Sequence, residues 1–128
     1  DRVIEGLVDR PKLYLPDFKE SIFPVLDEGG TYPHHNLSWV ISDSWDLRVL
    51  GGLLLSDISN MFIEVYSVRM RGGYLRFQAQ YLRRICLPNI SDVSSEAASS
   101  LAEAFESRDR KAATQAALPL YGLKVLPA

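Results

Sequence analysis

The stretch LRVLGGLLLSDISNMFIEV at residues 47–65 decides the fold. Its apolar residues recur at steps of three and four, a spacing that predicts a helix with one buried stripe. That stripe consists of Leu47, Leu50, Leu54, Ile58, Met61 and Val65. Ser44 is the expected N-cap, and Asp46 falls in the first turn, where a negative charge favours the helix dipole. We expect the helix to end near residues 66–68.

Small residues leave one side of this helix slim, namely Gly51, Gly52, Ser56 and Ser59. Small side chains let another backbone approach closely, although two adjacent glycines cost a helix roughly 2 kcal/mol relative to alanine. A tertiary contact must compensate for that cost. The sequence therefore predicts that another element packs against this side.

Short strands and turns are predicted before the helix. Residues 12–15 and 22–26 are β-prone, and Pro24 restricts the second of these strands to an edge. Residues 27–30 form a turn by composition, and residues 35–42 form a third strand.

Helices are predicted after it. Residues 78–85 fit a short helix, and residues 93–107 and 110–120 fit a helical hairpin with alanine-rich inner faces. The expected fold is therefore α+β, with short antiparallel strands in the N-terminal third, a long central helix and a C-terminal helical hairpin. We expect residues 1–90 to form the core and residues 91–128 to pack on it, as one domain overall.

The composition excludes several classes of protein. A chain of 128 residues, 47% hydrophobic and 23% charged, suits one globular domain. A single cysteine, Cys86, excludes a disulfide framework, and its apolar neighbours predict a small core residue. No apolar run is long enough to cross a bilayer and no signal peptide is present, so we expect a cytoplasmic protein without membrane contact. Because the chain opens at Asp1 rather than Met, we interpret it as a fragment of a longer protein.

Motifs that mark enzymes are missing from the sequence. It contains no G-x-S-x-G elbow, no P-loop and no H-E-x-x-H string. We therefore expect no catalytic residue, no metal site and no cofactor site within these residues.

The net charge of −2 is unevenly distributed along the chain. Residues 1–64 hold 11 acids and 5 bases, whereas residues 65–91 hold 5 arginines and no acid. Arginine presents a planar fork of donors that suits phosphate oxygens and guanine edges better than a lysine ammonium does. A solvated face balanced by distant carboxylates is the alternative, but it does not explain five arginines without a local acid.

The stretch from Arg69 to Arg84, called the arginine segment below, alternates these cations with aromatic and amide side chains. Arginine can bind guanine, glutamine can bind adenine, and glycine backbone amides can approach a phosphate closely. This combination predicts a DNA-binding surface. The expected contacts are Arg69, Arg71, Gly72, Gly73, Tyr74, Arg76, Gln78, Gln80, Arg83 and Arg84.

Several strings resemble adenine-specific DNA methyltransferases of restriction–modification systems. LLLSDISNMF at residues 53–62 is similar to a leucine-rich helix of these enzymes. RGGYLRF at residues 71–77, followed by QYLRRI at residues 80–85, is similar to the end of their C-terminal target-recognition region. The order of elements, with YPHHN at residues 32–36 before the helix, is similar to that of the PaeR-type modification methylases. The resemblance covers residues 12–90 best.

The resemblance implies a region that recognises a short duplex DNA site. A separate N-terminal catalytic domain of the same chain would bind S-adenosylmethionine and methylate adenine N6. That domain carries an Asn-Pro-Pro-Tyr motif, which is missing here, so no catalytic residue is carried over. The implied partners are double-stranded DNA and the catalytic domain. Because recognition regions vary most where they read bases, rival base readers are Lys12, Lys19, His34 and His35.

Two other functions stay open from the residues. A protein–protein docking module would expose an apolar patch along Leu101, Phe105 and Leu120. A small enzyme would need a deep pocket lined by His34, His35 and carboxylates. Neighbouring histidines on a strand point to opposite faces, so this pair does not readily grip one metal.

Overall fold

The computed structural model of the protein describes residues 9–15, 23–31, 38–62 and 85–124. Within these ranges a three-stranded antiparallel sheet precedes the helices, which confirms the predicted α+β class. The strands are β1 (Lys12–Leu15), β2 (Val25–Asp27) and β3 (Ser38–Val40). The helices whose two ends are both described are α1 (Leu47–Leu55), α2 (Ser95–Glu106) and α3 (Arg110–Ala117), with 3-10 turns at Ile90–Asp92 and Leu118–Tyr121.

The sheet places β1 between its two neighbours, in the order β2-β1-β3. Pro24 directly precedes β2, which is an edge strand as predicted. Leu13 pairs with Leu26 on one side and with Val40 on the other. Leu13 and Leu15 are buried, so this face of β1 lies against the core.

The start of α1 differs from the prediction. Asp46 is itself the N-cap, because its carboxylate accepts the amide hydrogen of Arg48 at 2.8 Å. The Ser42 hydroxyl accepts the amides of Ser44 and Trp45 at 3.1 and 2.9 Å. That turn keeps Ser44 outside the helix, so its assignment as the N-cap is wrong.

The end of α1 also differs, because the helix breaks at Ser56. This residue has extended backbone with φ −63° and ψ 156°, and residues 57–62 are helical again. The hydroxyls of Ser56 and Ser59 both donate to the Leu53 carbonyl at 2.7 Å. The prediction of one unbroken helix is therefore wrong, and its expected end at residues 66–68 lies outside the described residues.

Side chains of α3 satisfy the backbone groups that this break leaves open. The Arg110 guanidinium donates to the carbonyl of Leu55 at 2.5 Å. The Thr114 hydroxyl accepts the amide of Asp57 at 2.9 Å. Unpaired backbone groups are costly inside a protein, so α3 stabilises the broken helix directly.

α1 is the middle layer of the molecule, between the sheet and the α2–α3 hairpin. Its sheet side contributes to a core cluster of Leu13, Leu15, Leu50, Leu54 and Phe105. Its hairpin side contributes to a second cluster of Val49, Leu53, Ile58, Leu101 and Ala117. The predicted stripe is thus confirmed as buried at Leu50, Leu54 and Ile58.

The two glycines of α1 form the predicted close approach. A Cβ atom on Gly52 would lie 2.4 Å from the carbonyl oxygen of Leu101. A Cβ atom on Gly51 would lie 2.5 Å from the Phe105 ring. Packing of α2 on this side offsets the helical cost of both glycines, as expected.

The C-terminal helices form the predicted hairpin, each with a side-chain cap. The Ser94 hydroxyl accepts the amide of Ala97 at 3.1 Å, and the Asp109 carboxylate accepts the amide of Ala112 at 3.0 Å. The second helix ends earlier than predicted and continues as a 3-10 turn containing Pro119, which has no amide hydrogen to donate.

Acid should weaken the sheet through Asp27. Hydrogen bonds from Thr31 at 2.6 Å and Lys12 at 2.9 Å lower the pKa of Asp27 from 3.8 to about 2. A carboxyl group with a lowered pKa stabilises the fold above its unfolded value, and this contribution is lost as pH falls from about 4 to about 2.

We therefore expect Thr31→Val, which removes the largest cause of the lowered pKa, to lose less stability between about pH 4 and 2, because the pKa of Asp27 in the folded protein then lies closer to its unfolded value. Urea unfolding of both proteins between about pH 5 and 2 measures this difference. Parallel pH profiles for the two proteins would contradict the role of Thr31.

Candidate nucleic-acid interface

Most of the predicted DNA contacts lie outside the described residues. This holds for the whole arginine segment, with Arg69, Arg71, Gly72, Gly73, Tyr74, Arg76, Gln78, Gln80, Arg83 and Arg84. It also holds for Lys19, His34 and His35. The described residues therefore show the rest of the fold and the charges that it carries.

Lys12 is described, and the structure does not place it at a surface. Its side chain is 0% exposed, and its ammonium group lies 2.9 Å from the carboxylate of Asp27. The two residues are also paired in register between β1 and β2. A buried and neutralised ammonium cannot read a base edge, so this placement removes Lys12 from the candidate DNA contacts.

Other described cations engage carboxylates across the fold. Arg10 binds Asp43 at 2.7 Å. Arg48 binds Glu28 at 2.7 Å and approaches Glu106 at 3.4 Å, which ties the sheet side to α2. Each of these pairs is partly exposed and adds little stability, but each lowers the positive charge that this surface offers to a polyanion.

Two arginines beside the hairpin turn hold backbone and aromatic groups. Arg108 donates to the carbonyl of Pro24, and its guanidinium lies 5.5 Å from the centre of the Phe105 ring. The guanidinium of Arg110 lies 4.4 Å from the centre of the Phe23 ring, and burial lowers the pKa of Arg110. Both cations connect the helical hairpin to the residues that lead into the edge strand.

The sequence pattern does not single out Arg108 or Arg110 as structural. A signal for Arg110 exists, because Thr114 follows four residues later and the two side chains share one face of α3. The side chains of Arg110 and Thr114 both reach the break that follows α1.

The described residues on both sides of the stretch 63–84 pack against the core. Phe62 packs beside the cluster on the hairpin side of α1, and Ile85 packs beside the cluster on the sheet side. Cys86 is exposed, so its prediction as a core residue is wrong. Ile85 takes the inward position instead, and the carbonyl of Cys86 accepts a hydrogen bond from Tyr121 at 2.6 Å.

A shallow cavity of about 430 Å³ opens beside the sheet, lined in part by Trp45. Three carboxylates line its wall. Glu28 and Asp43 bind the guanidinium groups of Arg48 and Arg10, and Asp46 accepts the amide of Arg48 as the N-cap of α1. Each of the three thus has a hydrogen-bond partner within the fold. The histidines that an enzyme would need here lie outside the described residues.

The described residues also bear on metal binding and on membrane crossing. In the ranges that the structure covers, no three metal-ligating side chains stand close enough to hold an ion. None of the helices in those ranges combines the length and the apolar character that crossing a bilayer demands.

No protein-family model matches the chain, and no solved structure matches it. Curated relatives do. The chain is 50% identical over 123 residues to "Type II methyltransferase M.PaeR7I" of Pseudomonas aeruginosa. These residues are 96% of this chain and 21% of the relative. It is 46% identical over 123 residues to "Type II methyltransferase M.XhoI" of Xanthomonas vasicola, covering 96% of this chain and 22% of the relative.

A third relative, "Type II methyltransferase M.BstVI" of Geobacillus stearothermophilus, is 42% identical over 96 residues, which is 75% of this chain and 17% of the relative. The chain therefore spans about a fifth of the length of the relatives that it matches. Over nearly all of its own length, it is homologous to one part of type II methyltransferases.

Proposed function

We propose that this chain is the DNA target-recognition region of an adenine-N6 DNA methyltransferase of a restriction–modification system. It binds double-stranded DNA, while an N-terminal catalytic domain of the same protein binds S-adenosylmethionine and transfers the methyl group. The observation that carries the proposal is the arginine segment, with 5 arginines and no acid in residues 65–91. It occurs in a chain that is homologous to type II methyltransferases.

The charges of the described residues support this assignment. Arg10, Lys12 and Arg48 are engaged by carboxylates, and Arg108 and Arg110 by carbonyl oxygens. Two further described cations, Lys111 and Lys124, are exposed, whereas the arginine segment holds five arginines and is the richest source of the positive charge that a DNA duplex needs.

The proposed contacts divide by chemistry. Arg71 and Arg76 bind phosphates, and the backbone amides of Gly72 and Gly73, which carry no side chain that would keep a phosphate away, bind the same anions. The side chains of Gln78 and Gln80, with those of His34 and His35, are the candidates for reading bases in the major groove. No residue of this chain is assigned to S-adenosylmethionine or to catalysis, since its sequence lacks the Asn-Pro-Pro-Tyr string.

The alternative of a protein–protein docking module loses its expected surface. Its apolar patch was to include Leu101 and Phe105, which are 0% and 5% exposed and pack on α1. Leu120 is partly buried beside the same core. The hairpin thus uses its apolar face within the chain.

Selection from a pool of DNA duplexes tests the proposal. Duplexes with a randomised central stretch are incubated with the protein, and the retained fraction is sequenced. Recognition predicts enrichment of one short common site, because correct base pairs are favoured by about 1–3 kcal/mol each. Retention without any enriched site would contradict recognition and leave only binding to the DNA backbone.

A further inference from the structure

Tyr121 contacts the chain at both ends of the stretch that contains the arginine segment. The centre of its ring lies 6.2 Å from the centre of the ring of Phe62, the last described residue before that stretch. Its hydroxyl donates to the carbonyl of Cys86, just after the stretch, at 2.6 Å. We infer that Tyr121 is a positioning residue, which ties the residues on both sides of 63–84 to the core and on which DNA binding by the arginine segment therefore depends.

Local structure holds Tyr121 firmly in place. It is the last residue of the 3-10 turn Leu118–Tyr121, which Gly122 closes in the left-handed region with φ 70°. The amide of Leu123 donates to the carbonyl of Leu118 at 3.0 Å and completes the turn. The ring of Tyr121 packs beside the cluster on the hairpin side of α1.

The hydroxyl of Tyr121 is suited to a lasting hydrogen bond. Burial raises the pKa of Tyr121 to about 12, so the group keeps its proton at physiological pH and remains a donor. Because the carbonyl of Cys86 can only accept, the polarity of this contact is fixed.

Fastening both ends of a chain segment limits the arrangements that the segment can adopt. A smaller set of arrangements lowers the entropy that is lost when its arginines meet DNA phosphates. A single hydrogen bond of ordinary net strength corresponds to a factor of about 2 to 12 in such an equilibrium. The consequence for DNA rests on the proposed function, whereas the fastening itself does not.

Trypsin provides a test that needs no DNA, because it cuts after the arginines of the segment. Tyr121→Phe keeps the ring and removes the hydroxyl. We expect it to raise the rate of cutting after Arg69, Arg71, Arg76, Arg83 and Arg84 by about 2- to 12-fold under native conditions, in a protein that still unfolds cooperatively. Mass spectrometry of the fragments measures the rate at each site.

Tyr14→Phe is the matched control, because it removes the same group from a tyrosine of β1 whose hydroxyl lies 2.5 Å from that of Thr31. It should leave cutting in the segment unchanged. Gly122→Ala is a second variant. No atom of the described residues lies within 4 Å of the added Cβ, so the substitution acts through the left-handed backbone conformation beside Tyr121. It should raise cutting as well. Equal rates in the wild type and both Tyr121→Phe and Gly122→Ala would overturn the inference.

A duplex-binding titration of the same variants separates the inference from the proposed function. Weaker binding by Tyr121→Phe, by about 2- to 12-fold, together with faster cutting supports both. If trypsin cuts Tyr121→Phe faster but even the wild type binds no duplex, the fastening role of Tyr121 is supported and DNA recognition is rejected. Tight duplex binding by the wild type, with unchanged cutting and affinity in Tyr121→Phe, rejects the role of Tyr121 alone.

Discussion

Gly52→Ala is expected to destabilise the protein by about 3 kcal/mol, although alanine is the better helix former by about 1 kcal/mol. The added Cβ would lie 2.4 Å from the carbonyl oxygen and 2.9 Å from the carbonyl carbon of Leu101. These are backbone atoms of α2, so the clash cannot be relieved by a change of rotamer. Relief requires α2 to move away from α1, which opens the cluster that contains Leu53 and Leu101.

Urea unfolding of wild type and variant measures this effect. The matched control compares alanine with glycine at an exposed position of α2. The Ser99→Ala protein should be more stable than the Ser99→Gly protein by about 1 kcal/mol. A Gly52→Ala protein as stable as the wild type would show that the two helices do not approach as closely as described here.

Replacing two arginines of the segment is expected to have the largest effect on DNA binding. If Arg71 and Arg76 each bind one phosphate, the Arg71→Ala/Arg76→Ala variant should lose roughly 50-fold in affinity at ~0.1 M salt. Its plot of log affinity against log salt should also become flatter by about two units. Fluorescence anisotropy with a labelled duplex at several salt concentrations gives both quantities.

A second double variant separates position from net charge. Lys111→Ala/Lys124→Ala removes the same charge from two exposed residues that lie after the segment. We expect its affinity to change by less than about threefold, since exposed charges that do not contact the duplex are largely screened by salt. Equal losses in the two double variants would mean that net charge alone governs binding, and no loss in either would reject the segment as a contact surface.

The hairpin is predictable from the sequence because its signals are local. Leu101, Ala104 and Phe105 recur at helical spacing, and Ser94 and Asp109 are strong N-cap residues. The break at Ser56 is not predictable in this way. The apolar spacing runs through it without interruption, and the contacts that stabilise the break come from α3, more than fifty residues later.

The features of the candidate site likewise divide into those that are visible in the sequence and those that depend on tertiary contacts. A run of arginines without acids is visible in the sequence, and so is its preference for phosphate. The burial of Lys12 is not visible, because its partner Asp27 comes from the neighbouring strand. Tyr121 is equally hidden, since its hydrogen bond spans 35 residues to Cys86. Composition indicates which chemistry is present, whereas tertiary pairing decides which charges remain for a ligand.

A salt titration of the wild-type protein with a labelled DNA duplex is the decisive measurement for DNA recognition. If about three to five phosphates are neutralised, log affinity should fall against log salt with a slope of roughly −3 to −4.5. Failure to retain any duplex even at ~50 mM salt, or binding that does not weaken as salt rises, would contradict an arginine surface built for DNA.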